Sequence, residues 1–335
     1  MEIKNIVISR TDKIGDLVLS IPSFYMIKKM YPNAKLTVLV RNYNYDVVKN
    51  LSYIDEVIKI DDYSEEELIR KIKLLKLDIF IALYSDKFVA KLAKKSGAKF
   101  RIGPLSKINS FFSYNKGVWQ KRSKSVKNEA EYNLDLIRKI DKKLFDEKNE
   151  INTLIKYNME HKECAEKWLK ENKINKFILI HPFSGGSAKN ITDMQYSELI
   201  MKITEANDEC SVVISASVGD SFRAKEIIKR VNKMNVYTFI NEGSILNLAA
   251  LIDKSELFIG TSTGPTHLAG ALGKKIIGIY PIKKTQSPIR WGIFGNNNVT
   301  YILPEGEIEE DYSTKEFISW GEKDIKKILE IVRSL

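Results

Sequence analysis

At 335 residues the chain has room for two ordinary domains, and 44% hydrophobic with 10% aromatic residues excludes a disordered polypeptide. The formal net charge of +11 favours an anionic partner (nucleic acid, an acidic membrane face or a phosphorylated substrate) without choosing one, and a Lys-rich composition accounts for it equally well. The longest apolar runs, such as Phe177–Ile180 and Ile276–Tyr280, fall far short of a membrane span, and the opening MEIKNIVISR has no signal-peptide core.

In chain order, Lys4–Ser9 reads as a strand and Leu17–Met30 as a helix. Strand patterns recur at Lys35–Val40, Glu56–Ile60 and Asp78–Leu83, with helical patterns at Asn44–Asn50, Ser64–Leu75 and Lys87–Lys95 between them. Glu129–Ile140 is one more helix, and a polar stretch follows from Asp141 to Asn152. The alternation then restarts. Met159–Asn172, Asp193–Ala206, Ser221–Lys233, Ile245–Ile252 and Pro265–Leu272 read as helices. Lys176–His181, Ser211–Ser215, Val236–Ile240, Glu256–Gly260 and Lys275–Tyr280 read as strands. An amphipathic helix over Thr314–Arg333 closes the chain. Alternating short strands and helices imply βαβ units on parallel sheets. The expectation is two doubly wound α/β domains, 1–155 and 156–335, facing across a cleft. Ligands of such sheets bind beyond the carboxyl ends of the strands.

Three strand ends carry unusual chemistry. Arg10-Thr-Asp-Lys-Ile-Gly-Asp16 follows the first strand, with two aspartates four apart in one strand-to-helix turn. A carboxylate there could take a proton from an acceptor hydroxyl. Asp16 could equally be the helix cap, and spacing alone leaves both roles open. His181-Pro-Phe-Ser-Gly-Gly-Ser-Ala-Lys189 follows a second strand, and a Ser/Gly loop with one lysine suits a phosphate or is simply solvated. Thr261-Ser-Thr-Gly-Pro-Thr-His267 follows a third. There Gly264 lets a ligand approach, Pro265 suits the first helical turn, and free amides at a helix start attract anions. Hydroxyls of Ser262, Thr263 and Thr266 and the ring of His267 could add donors, although a well-capped helix with a surface histidine explains the same residues. No GxGxxG or GxxxxGK[ST] motif is present. His161, His181 and His267 are too scattered for a metal motif, and no paired carboxylates stand out for a divalent ion. Cys164 and Cys210 fit no metal or redox spacing, so a reducing cytoplasm is expected. Phe111-Phe112, followed by five basic residues and no acid between Lys116 and Lys127, suits an anionic membrane interface or a phosphorylated glycolipid; a solvated loop is the plain alternative.

These segments resemble bacterial glycosyltransferase family 9, the ADP-heptose–lipopolysaccharide heptosyltransferases. The family's opening R-x-D-x-I-G-D is matched by Arg10, Asp12, Ile14, Gly15 and Asp16, with Pro22 and Tyr31-Pro32 beyond. Its G-x-D-T-G-P-x-H-x-A-x-A-L-G signature is matched from Gly260 to Gly273, with Ser262 in place of the aspartate. Gly97–Gly103 and the His181–Lys189 loop match in place and order, although Asn-Ile-Thr follows Lys189 instead of an aromatic-Pro ending. The resemblance implies a GT-B fold of two Rossmann-like domains, with the last helix packing back on the first, and inverting transfer. It implies Asp16 as general base, and Ser187, Lys189, Ser262, Thr263, Gly264, Thr266 and His267 around an ADP-sugar donor. Arg10, Asp12, Lys121 and Arg122 would meet an anionic lipopolysaccharide or lipooligosaccharide inner-core acceptor, with no metal or other cofactor required and no nucleic acid as partner. Ser262 leaves the donor sugar open, and a catalytically silent nucleotide-sugar-binding homologue is the alternative.

Overall fold

The computed structural model describes residues 2–105, 108–186, 188, 190–304, 308–310, 316–318 and 320–335. The chain forms two compact units, Met1–Lys156 and Tyr157–Leu335.

The first unit is built on a parallel sheet of five strands, β1 (Asn5–Ser9), β2 (Lys35–Val40), β3 (Glu56–Lys59), β4 (Ile79–Ala82) and β5 (Phe100–Ile102), in the order β3-β2-β1-β4-β5. Ile6–Ser9 and Ile79–Ala82 are buried throughout, as strands covered on both faces must be. The chain leaves β1 toward β2 and β3, then returns to β4 on the other side. The switch point between β1 and β4 is where such sheets hold ligands. The expected Leu17–Met30 helix is two pieces, Ile14–Val18 and Ile21–Met30. Pro22, second in the later piece, has no N–H to continue the first, so the helix breaks and restarts.

The second unit holds a parallel sheet of six strands. They are β6 (Phe177–His181), β7 (Ser211–Ser217), β8 (Val236–Asn241), β9 (Leu257–Thr261), β10 (Ile276–Ile279) and β11 (Val299–Ile302), ordered β11-β10-β9-β6-β7-β8. Its switch point lies between β6 and β9, which pair with His181 opposite Gly260. The loops after these two strands, separated by about eighty residues of chain in the sequence, are therefore neighbours.

Local signals explain the helix starts. Ser64 with Glu67, Asn128 with Glu131 and Thr192 with Gln195 form capping boxes ahead of the Glu65–Leu74, Glu129–Arg138 and Asp193–Ala206 helices. The C-terminal expectation needs one correction. Glu316–Ile318 is a strand, paired antiparallel with Ile308–Glu310, and the helix runs Glu322–Arg333 with Gly321 at its N-cap. Its apolar face is also buried in its own unit. Ile328 and Val332 join the core of Ile178, Leu199, Ile203, Val212 and Ile277, while Asn207 Nδ2 donates to Val332 O at 3.2 Å. Ile328→Ala should lower the unfolding free energy by about 2–5 kcal/mol, read by urea titration.

Candidate functional site

In the first unit the site grows from the end of β1. Arg10 N continues the parallel ladder by donating to Leu39 O at 3.1 Å, which turns the Arg10 side chain into the unit. Its guanidinium is 1% exposed and every N–H is engaged. Nε donates to Asp12 Oδ1 at 2.6 Å and Nη2 to Asp16 Oδ1 at 2.6 Å. Glu129 Oε1 accepts from Nη1 and Nη2, both at 3.3 Å, and Asn133 Oδ1 accepts from Nη1 at 3.1 Å. Arg122 Nη1 donates to the same Glu129 oxygen, and Arg122 Nε to Gln120 Oε1 at 2.8 Å. Asn133 Nδ2 donates to Leu19 O and Ser20 Oγ, and Ser20 Oγ to Asp16 O at 2.8 Å, which ties the two short helices to the cluster. Asn44 Nδ2 and Tyr43 Oη donate to Asp12 O and hold the loop.

Two guanidinium groups thus face three carboxylates. With all ionised, one negative charge is left over in a site where charge is poorly solvated. Burial pushes the Asp16 carboxyl up to about 6; Arg10 pulls it back down, while Asp12 and Glu129 push it further up. Burial opposes the charge on Arg10, but Asp12, Asp16 and Glu129 together hold it firmly protonated. A carboxylate poised near neutrality and reaching the surface at 12% side-chain exposure suits proton transfer. Asp16 is not the cap of its helix, because Lys13 occupies that position.

This geometry changes two expected roles. Arg10 is buried and holds Asp12 and Asp16. Arg122 spends its donors on Glu129, Gln120 and Asn133, so it belongs to the same support. Lys121 is exposed and free to meet a ligand. Glu129 and Asn133 were not singled out by the sequence. Their only signal is a four-residue spacing on one face of a helix, and a glutamate in a first helical turn reads as an ordinary solvated residue. Tyr84, beyond β4 at the switch point, also borders the cluster: burial, Asp86, Asp12 and Asp16 raise its hydroxyl pKa, and Arg10 opposes them.

In the second unit, β9 ends at Thr261 and the Gly264–Ala271 helix starts with Thr263 at its N-cap. No side chain caps this helix, because Thr263 Oγ1 lies 3.4 Å from Thr261 O and from Thr266 Oγ1. Among the described residues its first amides thus lack a side-chain cap, beside the half-buried Ser262, Thr263 and Gly264, an anion-receptive arrangement. Gly260 is required by its neighbours: a Cβ there would stand 2.7 Å from the Phe258 ring and 2.8 Å from Thr266 Oγ1.

Two of the candidate donor residues are buried here. Thr266 is fully buried and donates its hydroxyl to Thr261 O, so it shapes the turn from within. His267 is also buried instead of lying on the surface, and burial lowers its pKa to about 4, so it is uncharged at neutral pH. His181, at the end of β6, is likewise pushed down to about 4 by burial, with its Nδ1 3.0 Å from Ser215 Oγ. Neither imidazole supplies a positive charge for a phosphate. The loop after β6 turns through Gly186 at φ +78°. Asn190 closes it, with Nδ2 donating to Pro182 O at 2.7 Å and Oδ1 accepting from Tyr196 Oη at 3.0 Å. Ser187 and Lys189 lie outside the described residues. Each unit leaves one buried hydroxyl without a partner at the end of its central strands, Ser9 Oγ and Thr261 Oγ1. Among the described residues, no group of three or more His, Cys, Asp or Glu is placed to hold a metal ion, and no helix is long and apolar enough to cross a membrane.

Two Rossmann-type parallel sheets, with these loops at their switch points, make up the GT-B fold class. The chain belongs to glycosyltransferase family 9 (heptosyltransferase), whose family model matches residues 66–317, and it is a glycosyltransferase. It is 35% identical over 302 residues to a Haemophilus influenzae protein provisionally named a glycosyltransferase, with 86% of this chain and 85% of that protein covered. The structure of a family 9 glycosyl transferase from Veillonella parvula superposes with a TM-score of 0.84 at 16% identity, over 100% of this chain and 99% of the other. That of Escherichia coli ADP-heptose lps heptosyltransferase II superposes with a TM-score of 0.78 at 16% identity, over 99% and 98% of the two chains.

Proposed function

We propose that the protein transfers heptose, or a related sugar, from an ADP-sugar to a hydroxyl of the lipopolysaccharide or lipooligosaccharide inner core, with inversion at the anomeric carbon. The observation that carries this reading is Asp16, a carboxylate held by the buried Arg10 with its pKa raised to about 6. In the reaction the acceptor oxygen attacks the anomeric carbon as the bond from that carbon to the diphosphate oxygen breaks. The acceptor proton passes to Asp16, and ADP leaves with the electron pair. The uncapped amides at Thr263 and Gly264, the hydroxyl of Ser262 and the positive end of the following helix oppose the charge that builds on the leaving diphosphate. Lys189 and Ser187, which follow the β6 strand in the sequence, are the further donors in this reading. No metal or other cofactor is required in this scheme.

The acceptor is an anionic glycolipid, in keeping with the net charge of +11, and Lys121 is one of its contacts. The reaction takes place in the cytoplasm at the inner face of the inner membrane. Ser262, a neutral hydroxyl where the family signature has a carboxylate, favours a second reading in which the sugar on the nucleotide differs from heptose.

Calorimetric titration with ADP, UDP, GDP and ADP-heptose tests the donor assignment. Selective binding of ADP and ADP-heptose, weakened by Lys189→Ala, is the expected result. Preference for UDP or GDP would overturn the ADP assignment, and absence of all nucleotide binding would leave a silent homologue.

A further inference from the structure

The segment after β5 presents three large aromatic side chains to solvent: Phe111 is 54%, Phe112 70% and Trp119 72% exposed. They form one cluster. The Phe111 and Phe112 rings stand edge to face with centroids 5.4 Å apart, and Phe111 lies 6.5 Å from Trp119. Their exposure is not the result of a loose segment. Tyr114, between them in sequence, is buried with its hydroxyl 2.6 Å from Ser85 Oγ. Val118 N donates to Gly103 O at 3.0 Å and Leu105 N to Val118 O at 2.9 Å. The backbone is pinned from below, and the rings are held outward, at the expense of apolar burial that folding normally secures.

The charge beside the cluster has one sign. Lys116 lines the same shallow depression as Phe111, and Lys121 and Lys124 follow Trp119 along the chain. Among the described residues none of these three lysines makes an ion pair, whereas Lys28, Lys29, Lys35 and Lys49 on the same unit all do. Lys116 Nζ stands over the Phe100 ring, 4.1 Å from its centroid, with no carboxylate partner among the described residues. Clustered aromatic rings bordered by lysines without carboxylate partners match the two layers of an anionic bilayer surface, apolar at acyl-chain depth and negative at the headgroups.

We propose that this surface docks the enzyme on an anionic phospholipid bilayer, with Phe111, Phe112 and Trp119 entering the interface and Lys116, Lys121 and Lys124 meeting headgroup phosphates. The inference deepens the reading of an acceptor held in a membrane. Vesicles free of glycolipid and of nucleotide separate the two, since docking is then read without transfer.

The test is co-sedimentation of the full chain with phosphatidylcholine vesicles containing phosphatidylglycerol, against phosphatidylcholine alone. The wild type should partition onto the anionic vesicles, and salt should release it. The Phe112→Ser/Trp119→Ser variant should lose partitioning by about tenfold or more while keeping wild-type nucleotide affinity. Neutralising Lys116, Lys121 and Lys124 to glutamine should weaken it by roughly fivefold per charge at low salt. Partitioning of the aromatic variant equal to wild type, or failure of the wild type to bind anionic vesicles, would overturn the proposal. So would a concentration-dependent dimer abolished by the same aromatic substitutions, which would assign the patch to a second copy of the chain.

Discussion

Arg10→Met should lower the unfolding free energy by about 3–5 kcal/mol, the range found when one partner of a buried ion pair is removed. The residue is 1% exposed, and its guanidinium serves Asp12, Asp16, Glu129 and Asn133 at once. Without it, Glu129 loses a cationic partner and is left with Arg122 as the remaining one described, and Asp16 loses the charge of Arg10 that opposes its burial. Methionine fills much of the volume, so lost packing contributes little of the expected effect. Urea denaturation of the single variant and of Arg10→Met/Glu129→Gln gives the check. The double variant should recover part of the loss, because a neutral amide no longer carries an unpaired buried charge. Arg10→Lys should fall between wild type and Arg10→Met, since an ammonium cannot reproduce a fork that meets three carboxylates.

The second large effect is on turnover. Asp16→Asn should lower kcat by about 10²–10⁴-fold, the usual contribution of a positioned base, while nucleotide affinity stays at the wild-type value. The asparagine oxygen can still accept the hydrogen bond from Arg10, so the fold should persist. The pH dependence follows from the same group. A base works in its ionised form, and burial raises the Asp16 pKa to about 6. The rate constant kcat/KM should therefore be level above that pH and fall toward tenfold per pH unit below it. Asp16→Asn should abolish this acid limb along with most of the activity. An unaltered limb in the variant would assign the titration to another residue.

Much of the fold is legible in the sequence because its signals are local. Each capping box, Ser64–Glu67, Asn128–Glu131 and Thr192–Gln195, sits within four residues and needs no tertiary information. The central strands are continuous runs of buried apolar residues and read directly. Strands β5 and β11 escape the same reading. They are three and four residues long, and β5 includes Arg101, so neither length nor pattern separates them from loop. Thr314–Arg333 reads as one amphipathic helix, yet its first part includes the β-forming Phe317-Ile318, and pairing with Ile308–Glu310 decides the outcome there.

The site divides in the same way. The strand-end motifs are visible, but the pairing of β1 with β4 and of β6 with β9 is what makes them switch-point loops. The environment of Asp16 depends on Glu129 and Asn133, more than a hundred residues away, and no local pattern marks a glutamate as buried. The burial of His267 and Thr266 is likewise invisible in the local pattern. Residue type and spacing locate the chemistry. Which polar side chains face solvent is decided by packing.

The most direct test is to incubate the protein with ADP-heptose and a heptose-deficient lipooligosaccharide acceptor, following ADP release and acceptor mass together, for wild type and Asp16→Asn. The account predicts ADP released in step with addition of one heptose of inverted anomeric configuration, and both slowed by about 10²–10⁴-fold with Asp16→Asn. Transfer from a UDP- or GDP-sugar instead, a product that retains configuration, or full turnover by Asp16→Asn would contradict it.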